Sequence, residues 1–173
     1  MKAMAASCAL LLLLLGTFAC TDRTNNTSYK DSVDKALQQA DLKGVTVSEN
    51  EDKNTITLGG KLHSEDAKNQ AGQVAQSAAG SRIIANEISV EPVGAESEAK
   101  KIESNTDDGI ESNYKAALIS RGLDKQDISF DAKNGVLTLK GKVKNMKERQ
   151  DAQELAKNTP NVAQVVNQIE VRR

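Results

Sequence analysis

The residues that could do chemistry in this 173-residue chain are few. His63 is the single histidine and stands before Ser64 at an expected helix start, with no second histidine or cysteine and no carboxylate cluster to complete a metal set. Ser and Asp residues are scattered with no arrangement that would place a Ser-His-Asp triad. Gly59-Gly60 lacks the spacing and the Lys-Ser/Thr pair of a phosphate loop. No enzyme and no cofactor is expected. Two cysteines remain, Cys8 and Cys20, and one basic run, Lys140, Lys142, Lys144, Lys147 and Arg149, with Met146 inside it. The chemistry open to such a run is attraction to an anionic surface.

Composition narrows the partner class. With 23 Lys plus Arg against 24 Asp plus Glu, the chain lacks the positive surplus of a nucleic-acid binder. Aromatic residues make up 2%, so the core must be aliphatic and stacking platforms are excluded. Charge is nevertheless unequal along the chain. Residues 29–91 hold seven basic and ten acidic side chains, and residues 133–173 hold nine basic and four acidic.

Lys2 precedes an uncharged stretch from Ala3 to Cys20 centred on Leu10 to Leu15, the layout of a signal peptide over residues 1–20. Gly16-Thr17-Phe18-Ala19-Cys20 resembles the lipobox cut before a cysteine in bacterial lipoproteins. That resemblance implies lipidation of Cys20 and, with Thr21 after it, anchoring to the outer membrane facing the periplasm. Cys8 would leave with the leader, so Cys20 has no intramolecular partner, as an acylated residue needs none. The polar residues 21–28 read as a tether.

The rest is one unit written twice. A shift of 81 residues aligns Thr57 to Val90 with Thr138 to Val171 without a gap, and 9 of 34 positions are identical. The identities include Leu58/Leu139, Gly60/Gly141, Ala71/Ala152, Asn86/Asn167 and Ile88/Ile169. Each copy reads as helix, two alternating strands, helix and strand. In the second copy Asn134-Gly135 signals a hairpin, Asn145 with Glu148 a helix start, and Gly122 a helix end. Ser28 with Asp31 suggests a capping box for the first helix.

The expected fold class is α+β: two αββαβ copies, each a mixed three-stranded sheet with two helices on one face. The opposite face of the second copy, Val136, Thr138, Lys140, Lys142, Gln168, Glu170 and Arg172, is expected to meet water. Asn86 and Asn167 are expected to bond the neighbouring turn. A unit of about 60 residues buries only about 60% of its unfolded surface, so the copies are expected to dock. Residues 93–106 read as a polar, partly helical linker between units at 29–92 and 107–173.

The strings Gly135-Val-Leu-Thr-Leu-Lys-Gly-Lys-Val143 and Asn161-Val-Ala-Gln-Val-Val-Asn-Gln-Ile-Glu-Val171 resemble the BON domain. The resemblance covers both copies. It makes Gly60, Asn86, Gly141 and Asn167 structural motif residues. It implies an envelope protein without catalytic activity that binds phospholipid membrane and supports envelope integrity under osmotic or other envelope stress. The basic run Lys140, Lys142, Lys144, Met146, Lys147 and Arg149 is the expected contact with anionic phospholipid, alongside the lipid anchor. The alternative is a periplasmic protein-interaction or chaperone-like adaptor whose partners are envelope proteins.

Overall fold

The computed structural model describes residues 28–172; the leader, Cys20 and most of the tether lie outside them. The first unit runs α1 (Tyr29–Gln39), β1 (Val45–Asn50), β2 (Thr55–Leu62), α2 (Glu65–Ala78), β3 (Ile83–Asn86) and β4 (Ser89–Val90). The second runs α3 (Glu96–Arg121), β5 (Asp127–Lys133), β6 (Val136–Val143), α4 (Met146–Lys157), β7 (Gln164–Asn167) and β8 (Glu170–Val171). The order αββαβ holds twice, with the final strand of each copy broken into two pieces. Both pieces pair in parallel with the central strand, β3 and β4 with β2, β7 and β8 with β6.

Local chemistry explains the elements. Asn134 and Gly135 both have positive φ, 48° and 81°, as a two-residue type I′ hairpin requires. Ser64 Oγ accepts the Ala67 N–H at 3.2 Å, and Asn145 Oδ1 accepts the Glu148 N–H at 2.9 Å, capping α2 and α4. The expected capping box on α1 is absent, because Ser28 Oγ donates to Glu49 at 2.8 Å. Two cores result. One gathers Val33, Leu37, Ile56, Leu58, Ala71, Ala75 and Ile88; the other gathers Ile110, Tyr114, Leu118, Leu139, Ala152, Ala156 and Ile169. Small alanines on α2 and α4 let each helix lie close against its sheet.

Glu49 ties α1 to the first sheet. It accepts from Ser28 and from the Lys30 N–H at 3.2 Å, and pairs with Arg82 at 3.0 Å. Burial would raise its carboxyl, but Ser28, the Lys30 N–H and the Arg82 guanidinium together hold it below the ordinary carboxylate range. Its folded pKa is thus under its unfolded value. The stability it contributes is present above the unfolded pKa and is lost as pH falls through the folded one. Glu49→Gln is therefore expected to flatten the loss of thermal stability below about pH 4.5. Melting curves between neutral and acid pH check it; an unchanged slope would contradict this role.

The units dock through the sheet faces away from their helices. Ala85, Val136 and Val166 form a small apolar cluster between them. Around it, Gln168 Nε2 donates to Thr55 Oγ1 at 3.1 Å, Asn134 Nδ2 donates to Glu87 O at 2.7 Å, and Lys68 Nζ donates to Asn134 O at 3.0 Å. Lys133 pairs with Glu87 at 3.2 Å, and Lys53 pairs with Glu170. The expectation that the second copy's open face meets water holds for Lys140, Lys142, Glu170 and Arg172 and is corrected for Val136 and Thr138. Val136 and Thr138 are 2% and 7% exposed, because their end of β6 carries the apolar surface that a marginal unit must cover.

The interval between the units is helical from Glu96, so α3 is one continuous 26-residue helix. Only its C-terminal half supplies core residues, Ile110, Tyr114 and Leu118. Its N-terminal half reaches back to the first unit, where Glu103 accepts the Val90 N–H at 2.8 Å and Ser89 Oγ at 2.6 Å. One turn on, Asp107 accepts the N–H groups of Asn134 and Gly135 at 2.8 and 3.0 Å.

Candidate functional site: the basic edge of the second unit

Alternation on β6 puts Lys140 and Lys142 on the open sheet face, past the point where Val136 and Thr138 are covered. The chain then leaves the strand at Lys144 and enters α4 at Met146 and Lys147. Lys140, Lys142, Lys144 and Lys147 are all exposed, and Met146 is 53% exposed. Glu148 supports this corner by accepting the Lys144 N–H at 2.8 Å, while its own N–H is held by Asn145. The two bonds fix the angle at which Met146 stands out.

The charges are not equally available. Lys147 pairs with Asp151 at 2.7 Å and Lys142 approaches Glu170 at 3.7 Å; exposed pairs such as these exchange readily with other anions. Lys140 and Lys144 have no ion-pair partner among the described residues. Arg149 differs from the rest. Its Nε donates to Ile169 O at 2.8 Å and Nη2 to Asn167 O at 3.4 Å, bridging the break between β7 and β8. It closes the fold, and its guanidinium is held in place by those carbonyls rather than free to follow a ligand.

The motif residues hold backbone. Gly60 and Gly141 have φ of 95° and 108°, and a Cβ there would stand 2.1 Å from Gly44 O and 2.0 Å from Asp127 O. No side chain fits. Both asparagines reach a helix, and Asn167 also bonds the neighbouring turn as expected, whereas Asn86 does not. Asn86 Nδ2 donates to Lys68 O at 2.9 Å, and Asn167 Nδ2 donates to Gln153 Oε1 at 3.0 Å. Asn167 Oδ1 also accepts the Ile169 N–H at 3.0 Å across the strand break.

His63 Nδ1 lies 2.9 Å from Glu91 O at the surface, a boundary contact. Among the described residues no group of His, Cys, Asp or Glu side chains is arranged to hold a metal, and no helix is long and apolar enough to cross a membrane. Sequence reasoning missed Glu103, Asp107 and Gln164. The Gln164 amide accepts the Asn86 N–H at 3.1 Å and donates to Ile84 O, covering the outer edge of β3 from the other unit. Their signal would have been polar residues facing a strand edge across the repeat, which no periodicity reports.

The fold is a tandem pair of small α+β units with an asymmetric charge distribution. The BON domain matches residues 24–92 and again residues 106–173, and the chain belongs to the BON-domain family. BON domains are non-catalytic binding domains of envelope-associated proteins, and as a class they bind phospholipid membranes. No curated protein sequence matches the chain. Among solved structures, it is similar to the C-terminal domain of CdsD, the structural protein of the type III secretion system of Chlamydia trachomatis, at 16% identity and TM-score 0.32. That match covers 80% of this chain and 62% of the other, so the chain spans under two thirds of its length. A second CdsD structure from Chlamydia trachomatis matches at 13% identity and TM-score 0.34, over 82% of this chain and 90% of that one.

Proposed function

We propose that this protein is an envelope lipoprotein, anchored through Cys20 to the outer membrane on its periplasmic side, whose second BON unit lies against anionic phospholipid and supports envelope integrity under osmotic or other stress. The observation that carries the lipid contact is the exposed corner of Lys140, Lys142, Lys144 and Lys147 around the protruding Met146. Each lysine near an anionic bilayer contributes about 1 kcal/mol, and Met146 is long and unbranched enough to enter the acyl boundary. A tether at residue 20 would raise the local concentration of this weak contact, so neither element needs to be strong alone. The first unit, with its acidic excess, faces away.

The test is co-sedimentation of the form lacking residues 1–20 with phosphatidylglycerol or phosphatidylcholine vesicles. Binding is expected on the anionic vesicles alone. Substituting Lys140, Lys142, Lys144 and Lys147 by Gln is expected to lower partition by nearly 1,000-fold, since the loss of about 4 kcal/mol corresponds to about three powers of ten. Arg149 is left in place because it closes the fold. Equal sedimentation on both vesicle types, or no effect of the four substitutions, would contradict the lipid contact. The mass of the mature N-terminus decides acylation of Cys20.

A further inference from the structure

Of the asparagines in the chain, one alone precedes a glycine, Asn134 before Gly135. Glycine has no Cβ to crowd its nitrogen, so this dipeptide is where an asparagine side chain is most open to attack by the next main-chain nitrogen. The same two residues make the turn between β5 and β6, and that turn is set between the two units. Asn134 Nδ2 donates to Glu87 O of the first unit at 2.7 Å, and Lys68 Nζ donates to Asn134 O at 3.0 Å. From α3, Asp107 Oδ2 accepts the Asn134 N–H at 2.8 Å and Oδ1 accepts the Gly135 N–H at 3.0 Å. The nucleophile of a deamidation and its leaving group are thus both engaged, one by α3 and the other by the first unit.

The reaction these bonds oppose is ring closure. The Gly135 nitrogen bonds to Asn134 Cγ, the Cγ–Nδ2 bond breaks, and the Gly135 proton departs with Nδ2 as ammonia. Water then opens the succinimide: cleaving its N–Cγ bond leaves aspartate, and cleaving its other N–C bond leaves isoaspartate. Water is the only co-reactant. Closure requires the Gly135 N–H to come off Asp107 and the Asn134 side chain to turn from Glu87 O towards its own main chain. Both bonds are free together only when the hairpin parts from α3 and from the first unit, so the reaction reports that local opening. Either product lacks the amide donor for Glu87 O, and isoaspartate also lengthens the main chain by one carbon inside a two-residue turn. We propose that Asn134-Gly135 is a deamidation site guarded by the docking of the two units, and that its conversion loosens that docking irreversibly.

The protein lacking residues 1–20 is incubated in warm, mildly alkaline buffer, and the mass gain of amide-to-acid conversion at Asn134 is followed in proteolytic fragments. A free peptide of residues 128–141, which has neither α3 nor the first unit beside it, gives the unguarded rate. The folded protein is expected to react at least about tenfold more slowly than the peptide. Asp107→Ala removes two hydrogen bonds to a charged group and is expected to speed the reaction at least about tenfold, while amide exchange at the buried Leu139 stays slow. Asn134→Asp is expected to shift the amides of Ala85 and Gln168, at the far side of the contact, and to leave Leu139 protected. Equal rates in protein and peptide would overturn the proposal. So would an Asp107→Ala rate no higher than the parent's, a rate gain matched by lost protection at Leu139, or unmoved Ala85 and Gln168 amides in Asn134→Asp.

Discussion

Replacing Gly141 by alanine is expected to lower the melting temperature by at least about 10 °C. Two costs combine at this position. A φ of 108° lies outside what L side chains adopt, and the new Cβ would stand 2.0 Å from Asp127 O, a backbone atom on the paired strand. Strain of about 1–3 kcal/mol and overpacking of similar size sum to about 3 kcal/mol or more. A small domain loses about 4–8 °C per kcal/mol, and its whole stability is commonly about 5–15 kcal/mol. Gly94 provides the control. Its φ of 86° is also left-handed, but nothing lies within 4 Å of its would-be Cβ. Gly94→Ala should therefore cost only about 1 kcal/mol. Equal losses in the two variants, read by circular dichroism melting, would mean that the close approach of β5 and β6 is not what requires glycine.

Truncating Tyr114 to alanine is expected to be as severe. The ring is fully buried on α3, stands edge-on to Phe130 with centroids 5.0 Å apart, and its hydroxyl donates to Ala152 O at 3.2 Å. Burial also pushes its phenol pKa above the ordinary value, so it stays a neutral donor throughout the stable pH range. Removing a buried aromatic ring costs about 3–5 kcal/mol through lost transfer energy and the cavity left behind. Tyr114→Phe removes only the hydroxyl contact, about 1 kcal/mol, and leaves Ala152 O to its helix partner. Chemical denaturation of both variants separates the terms. A Phe variant as unstable as the Ala variant would place the energy in the hydrogen bond rather than in the packed ring.

The elements that sequence made legible are those specified by neighbours in the chain. Asn134-Gly135 encodes its hairpin because both residues tolerate positive φ. The strands show themselves through alternation at Leu137, Leu139 and Val143. Even the exchange of Gly80 for Asn161 between copies follows local rules, since both adopt left-handed backbone, φ 60° and 65°. Contacts between the units were not legible. Val136 and Thr138 read as a solvent-facing pair because alternation assigns a face but cannot say what covers it. Glu103 and Asp107 sat in a polar stretch whose helix-forming composition was visible and whose targets were not. Those targets are backbone N–H groups on strand edges far along the chain, available only once both units have folded. The basic corner was legible as a run of charge, yet sequence could not separate Arg149, held by Asn167 O and Ile169 O, from its exposed neighbours.

The most direct test of the lipid-facing second unit is amide relaxation of the protein on anionic nanodiscs containing spin-labelled lipid. Signal loss centred on Lys140, Lys144, Met146 and Lys147, with the first unit's helices unaffected, is the expected outcome. Broadening that falls on α1 and α2 instead, or that spreads evenly over both units, would contradict it.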